Sequence, residues 1–186
     1  YEAFAARGML CSPYALFKEF MNRSDFDKYE HVWAIYDMED NEYIINKYKN
    51  VSNVRFVEFN SNEYLKALAE AKYIINNSTF PGFVTKKDEQ IYINTWHGIP
   101  LKTLGYDLPD ANIAVANTMR NFLSADYLIS PNKFHSDIYL KAYKLDGLYE
   151  GTIIEEGQPR SDMIYHADRD EVIDQLKHEG VTIDPN

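Results

Sequence analysis

"EQIYINTWHGIPLK", residues 89–102, changes character halfway along. Ile91, Tyr92 and Ile93 form a short apolar, β-favouring run, which predicts a strand. Trp96-His97-Gly98 then break the run, and Pro100 restricts Ile99 to extended geometry and fixes the exit of the loop. A strand that ends on a histidine and a glycine reads as a sheet edge carrying a side chain with chemistry. The fold depends on what flanks it.

Upstream, "SPYALFKEFMNRS" predicts a helix with Ser12 as N-cap and Pro13 at the first helical position. "HVWAIYD" (31–37) reads as a strand, "NEYIINKYKN" (41–50) as a short helix and "VRFVEFN" (54–60) as a strand. "SNEYLKALAEA" (61–71) predicts a helix capped by Ser61 or Asn62, and "KYIINNS" (72–78) a strand. Downstream, the polar stretch "DLPDANIAVANT" (107–118) gives no clear element. "SADYLISPN" (124–132) reads as a strand, "KFHSDIYLKAYKL" (133–145) as a helix and "GTIIEEG" (151–157) as a strand. "SDMIYHADRDEVIDQLKHEG" (161–180) predicts a helical turn, with Ser161 as its cap, then an amphipathic helix stopped by Gly180. Alternating strands and helices with Ile/Val/Tyr-rich strands predict an α/β fold: a Rossmann-like parallel sheet flanked by helices, forming one domain over residues 1–186.

Ligands of such sheets gather at the carboxyl ends of the strands, where helix N-termini also favour anions. On that edge the sequence places Asp37, Asn60, Asn77-Ser78-Thr79, Trp96-His97-Gly98, Ser130-Pro131-Asn132 and Gly157-Gln158-Pro159-Arg160. His97 leads the candidates, because an imidazole exchanges a proton near neutral pH. The competing reading is a half-buried histidine bonded to a carbonyl in a turn. Gly98 permits close approach of a ligand, and Lys102 and Arg160 are able to meet a phosphate. The competing reading of Lys102 is a solvated surface residue, and that of Arg160 a surface ion pair with one of the nearby acids. Trp96 reads as packing. The acidic runs 37–42 and 166–171 lack the spacing of a calcium loop and read as capped helix starts.

The 186 residues are 45% hydrophobic and 26% charged, a globular composition, and carry a formal net charge of −10. That charge disfavours nucleic acid as a partner. The single Cys11 allows no internal disulfide and fits a cytosolic chain, and no zinc-type cluster, GxGxxG or P-loop pattern is present. Neither a bilayer-spanning run nor a signal peptide is found. The start at Tyr1 and the end in "TIDPN" suggest a piece of a longer protein.

"NTWHGIPLKTLGYD" resembles the WHGTPLK-type signature of the CDP-glycerol glycerophosphotransferases that build teichoic acids and related capsule polymers. "YEAF" and "CSPYALFKEF" resemble the family's opening element, "YEHVWAIYD" the strand after it, "ADYLISPNKFHSDIYLKAY" the segment after the signature, and "GQPRSDMI" its GYPRND element. The resemblance implies the acceptor-side half of a two-domain GT-B transferase, with a donor-binding half following. It implies transfer of glycerol phosphate from CDP-glycerol to a hydroxyl of a lipid-linked polymer, with release of CMP. His97 would be the general base. Gly98, Lys102, Asp107, Asn132 and Arg160 would contact substrate, with Lys102 and Asp107 positioning the acceptor or orienting His97. No cofactor or metal is implied in this half. The full-length protein would lie peripherally on the cytoplasmic face of a bacterial membrane. Ile99 in place of the family's usual threonine, and Gln158 and Ser161 in place of tyrosine and asparagine, leave the donor open to a ribitol or sugar phosphate. A non-catalytic acceptor-binding module is the reading from another class.

Overall fold

The structure is a computed structural model that describes residues 1–111 and 113–182. Six parallel strands form in chain order: β1 (His31–Ile35), β2 (Val54–Glu58), β3 (Tyr73–Asn76), β4 (Ile91–Asn94), β5 (Tyr127–Ile129) and β6 (Thr152–Ile154). β1 pairs with β2, and the other four lie in the order β3-β4-β5-β6. The helices are α1 (Cys11–Met21), α2 (Glu42–Tyr48), α3 (Asn62–Glu70), α4 (Ile113–Ser124), α5 (Lys133–Ala142), α6 (Pro159–Asp162) and α7 (Arg169–His178). Helices connect successive strands except β3 and β4, whose parallel crossover is the irregular loop 77–90.

The expected single sheet is instead two hydrogen-bonded sheets, and the first two residues bridge them. The Tyr1 amino group donates to the Val32 carbonyl at 2.7 Å, and Ala34 N donates to the Tyr1 carbonyl at 3.0 Å. On the other side, Glu2 N donates to the Ile75 carbonyl at 2.9 Å, and Glu2 pairs in parallel with Asn76. The spatial order is therefore β2, β1, residues 1–2, β3, β4, β5, β6. The direction of winding reverses between residues 1–2 and β3, which makes that gap the switch point of the fold. Glu2 is buried there. Burial pushes its carboxyl up to about 7, opposed by a hydrogen bond from the Tyr64 hydroxyl at 2.8 Å.

Apolar clusters form on both sides of this array. Trp33, Phe17, Tyr14 and Ile35 pack with α1, while Tyr92, Phe122, Leu128 and Tyr139 join α4 and α5 to β4 and β5. Ala34, Val57 and Tyr64 fill the space under α3.

Local readings divide into those the geometry bears out and those it corrects. Ser61 caps α3, accepting from Tyr64 N at 3.2 Å, and Asp168 caps α7, accepting from Asp170 N and Glu171 N. Gly180 adopts φ +80 just past α7, as a stop residue should. Ser12 is not the cap of α1, nor is Pro13 its first residue: the cap position is Leu10, the helix begins at Cys11, and Ser12 and Pro13 are buried in its first turn. Ser161 does not cap α6 either. That helix starts at Pro159 after Gln158, because proline's fixed φ sets the first turn there. The unclear stretch 107–118 contains the end of a 3-10 turn and the start of α4, with residue 112 outside the described residues. Ser124 ends α4 rather than starting a strand. Of the terminal "TIDPN", residues 183–186 also lie outside the described residues.

Candidate functional site

β4 ends on a buried asparagine that turns the chain. Asn94 Oδ1 accepts from Trp96 N at 2.8 Å, and Trp96 takes the left-handed conformation, φ +47. That conformation is unfavourable for an aromatic residue and persists where its surroundings over-determine it. Here the indole packs edge-to-face on Phe122, with centroids 4.9 Å apart, and reaches Tyr139 and Tyr143. Trp96 is therefore the frame of the turn, as its size suggested.

The turn sends His97 sideways across the end of β3. His97 Nδ1 lies 2.7 Å from the backbone carbonyl of Asn77. A carbonyl only accepts, so Nδ1 carries a hydrogen, and in the neutral ring Nε2 is the nitrogen with the free lone pair. Asn77 is itself fixed, since its Oδ1 accepts from Phe4 N at 2.8 Å. The Phe4 ring packs against the His97 ring with centroids 5.6 Å apart. Phe4, Ala5 and Ala6 run left-handed in succession, at φ 50, 55 and 63, so the turn after residues 1–2 curls back over the switch point. His97 is thus the half-buried histidine bonded to a carbonyl, and that bond leaves its other ring nitrogen without a hydrogen-bond partner among the described residues.

Arg160 completes the cluster from the start of α6. Its Nη1 donates to the His97 carbonyl at 2.9 Å and lies 3.5 Å from Cys11 Sγ, while its backbone N donates to Ser12 Oγ at 3.4 Å. Gly157, at φ +97, makes the turn that delivers α6 to this point. The ends of β3 and β4 therefore meet at His97, and Arg160 links them to the first turns of α1 and α6.

The remaining predicted residues stand apart. Gly98 is half-buried, and a Cβ built there meets nothing within 4 Å, so its glycine leaves open space beside His97. Lys102 and Asp107 are exposed, and among the described residues neither bonds to His97. The group that orients the ring is the Asn77 carbonyl, not the Asp107 carboxylate. Asn132 is the N-cap of α5, where its side chain accepts from His135 N at 3.1 Å. Gly105, at φ +59, sits where a Cβ would come within 2.3 Å of the Ala142 carbonyl, so the loop after His97 is pinned against the end of α5 by a glycine that nothing else replaces.

Sequence reasoning passed over two contributors. Asn77 acts through its backbone, which no side-chain pattern reveals. His135 lies fully buried with its ring 4.2 Å from that of Tyr139. Burial depresses its pKa to about 4, opposed by the Gly98 backbone, so the second histidine near the loop is neutral. Among the described residues no group of His, Cys, Asp and Glu is arranged to hold a metal ion.

The model of the CDP-Glycerol:Poly(glycerophosphate) glycerophosphotransferase family matches residues 1–184. The chain belongs to this glycerophosphotransferase family. It is 31% identical over 184 residues to the teichoic acid poly(glycerol phosphate) polymerase of Bacillus spizizenii, covering 95% of this chain and 44% of that protein. The corresponding polymerase of Staphylococcus epidermidis is 32% identical over 187 residues, covering 95% of this chain and 24% of that protein. Among solved structures, the wall teichoic acid polymerase TagF superposes with a TM-score of 0.76 at 28% identity, over 98% of this chain and 44% of that one. A histidine-to-asparagine variant of TagF soaked with CDPG superposes equally well, at 0.76. The chain spans less than half the length of these glycerophosphotransferase relatives.

Proposed function

We propose that this chain is the acceptor-side, base-carrying half of a glycerophosphotransferase that extends a teichoic-acid-type polymer. The donor is CDP-glycerol, held by a donor-binding half that follows in a GT-B arrangement, and residues 1–186 are one domain of that enzyme. The acceptor is a hydroxyl at the end of a lipid-linked polyol-phosphate chain. The enzyme works peripherally on the cytoplasmic face of the membrane; among the described residues no helix is long and apolar enough to cross one.

The observation that carries this reading is the bond from His97 Nδ1 to the Asn77 carbonyl. It leaves Nε2 free to take the proton of the acceptor hydroxyl as its oxygen attacks the phosphorus attached to glycerol. The bond from that phosphorus to the bridging oxygen breaks, and CMP leaves with the electron pair. The imidazolium that forms keeps its Nδ1 bond, and the carbonyl dipole stabilises the new charge. The Arg160 guanidinium, drawn in by the His97 carbonyl, places a permanent positive charge beside the transferring phosphoryl group. The open space at Gly98 leaves room for the acceptor end.

The test is His97→Ala in the full-length protein, read as CMP release from CDP-glycerol with acceptor present. Loss of the base lowers kcat by about a hundredfold or more, with the fold intact by circular dichroism. Near-normal turnover by that variant rejects the assignment. A donor panel of CDP-glycerol, CDP-ribitol and UDP-sugars decides the transferred group.

A further inference from the structure

We propose that Asn94 is a positioning residue for His97: its side chain ties together the two strand ends whose contact fixes the His97 ring. This rests on the reading of His97 as the base, but the geometry behind it is separate. Asn94 closes β4 and is fully buried. Its Oδ1 accepts from Trp96 N at 2.8 Å, which closes the turn on the His97 side. Its Nδ2 donates to the Ser78 carbonyl at 2.9 Å, which holds the strand end on the Asn77 side. The same amide donates to Asn76 Oδ1 at 3.1 Å and meets the Tyr92 hydroxyl at 2.9 Å. The hydroxyl has both Asn76 Oδ1, at 2.9 Å, and Asn121 Oδ1, at 3.2 Å, within reach of its single hydrogen. Asn121 carries the network on to the next residue pair of the β3 loop, accepting from Phe80 N at 2.8 Å.

One amide therefore spans the interval between the two partners of the Nδ1 bond. His97 follows the Trp96 turn that Asn94 Oδ1 closes, and Asn77 precedes the Ser78 carbonyl that Asn94 Nδ2 holds. The left-handed φ of Trp96 makes the arrangement dependent on that acceptor. Without it, the residue relaxes toward φ below zero and carries His97 away from Asn77. An asparagine suits the place because it supplies one acceptor and two donors on a short rigid stem. A serine closes the same kind of turn more weakly and supplies no second arm.

The experiment uses the full-length protein and two readouts. Asn94→Ala is expected to lower kcat by about a hundredfold, as misplacement of a reacting group by an ångström does, while leaving KM for CDP-glycerol unchanged. Asn94→Ser loses less. In a His97→Ala background, Asn94→Ala gives no further loss, because the group it positions is gone. An equal fall in both backgrounds overturns the proposal and makes Asn94 a structural residue only. The second readout, the imidazole 15N shifts of His97, needs no turnover. The wild type shows the Nδ1–H tautomer, and Asn94→Ala shows a mixture; an unchanged tautomer overturns the proposal. If the alanine variant does not fold, the serine variant takes its place in both arms, with a smaller loss and a partial mixture expected and no change overturning the proposal. Normal turnover by His97→Ala alone rejects the base and leaves the tautomer readout to judge Asn94.

Discussion

His97 is distinguished from the chain's other histidines by what its two ring nitrogens face. His31 is buried against the Tyr1 hydroxyl, 2.8 Å from Nδ1, and burial depresses its pKa. His135 is sealed under the Gly98 loop, and His166 and His178 are exposed. Only at His97 does a fixed Nδ1 partner coincide with partial exposure. Its place after a strand was legible from the residue pattern; the Asn77 carbonyl was not, because it is a backbone group twenty residues away. Arg160 was legible as a cation on the right edge, but not as the donor to the His97 carbonyl. Arg160→Ala removes a charged hydrogen bond of about 1.5–3 kcal/mol, so kcat in the full-length protein should fall about tenfold or more. His135 gives a pH prediction. Its folded pKa, about 4, lies below that of the unfolded chain, so its contribution to stability is present above pH 6.5 and is lost as pH falls toward 4. Within that window it costs up to about 1.4 kcal/mol per pH unit. Denaturation midpoints measured at pH 7 and pH 5 should therefore diverge more in the wild type than in His135→Gln.

At the scale of elements, the strands were legible because Ile, Val and Tyr concentrate in them, and their order of appearance was right. Helix starts were less so. Ser61 and Asp168 cap as short polar residues before a periodic run should, whereas Ser12 and Ser161 are the right residue type two and three positions past the caps, Leu10 and Gln158. At α6 Pro159 fixes φ and starts the helix, whereas α1 begins two residues before Pro13 and Ser12 takes another role. For Ser12 that role is accepting from Arg160 N. Asn132 had been read as a substrate contact, and its side chain is occupied in capping α5. Asn132→Ala should cost about 1 kcal/mol of stability, and Asn132→Asp should retain most of it, by urea denaturation. If the alanine variant is as stable as wild type, the cap is idle and a substrate role regains ground.

At the scale of the molecule, the parallel α/β class followed from alternation alone. The division into two sheets did not, because the tie between them is two residues long and too short to carry a pattern. Glu2→Pro removes the donor to the Ile75 carbonyl and leaves a buried acceptor unpaired, at a cost of about 1–3 kcal/mol. Its unfolding curve should also broaden as β1 and β3 uncouple, whereas an unaltered sharp transition would show that the side-chain clusters alone join the two sheets. Residues 1–186 expressed alone should fold and release no CMP from CDP-glycerol, since the proposed donor half is absent. Measurable release by this piece would overturn the division of labour proposed between the halves.

The same two-residue tie also sets the order of assembly. Phe4 meets Asn77 across a separation of 73 residues, and Tyr1 meets Val32 across 31. β1 with β2 and β3 with β4 close over shorter separations, as in His31 with Val54 and Tyr73 with Ile91, so each pair closes at a lower entropic cost. The opening residues have nowhere to settle until both pairs exist. Loop-closure entropy is greatest for contacts of this kind, and chains dominated by them fold slowly. The tie across the switch point should therefore be the last part of the array to form. In refolding experiments, protection of the Glu2 and Phe4 amides, which bond to the Ile75 carbonyl and Asn77 Oδ1, should lag behind that of β2.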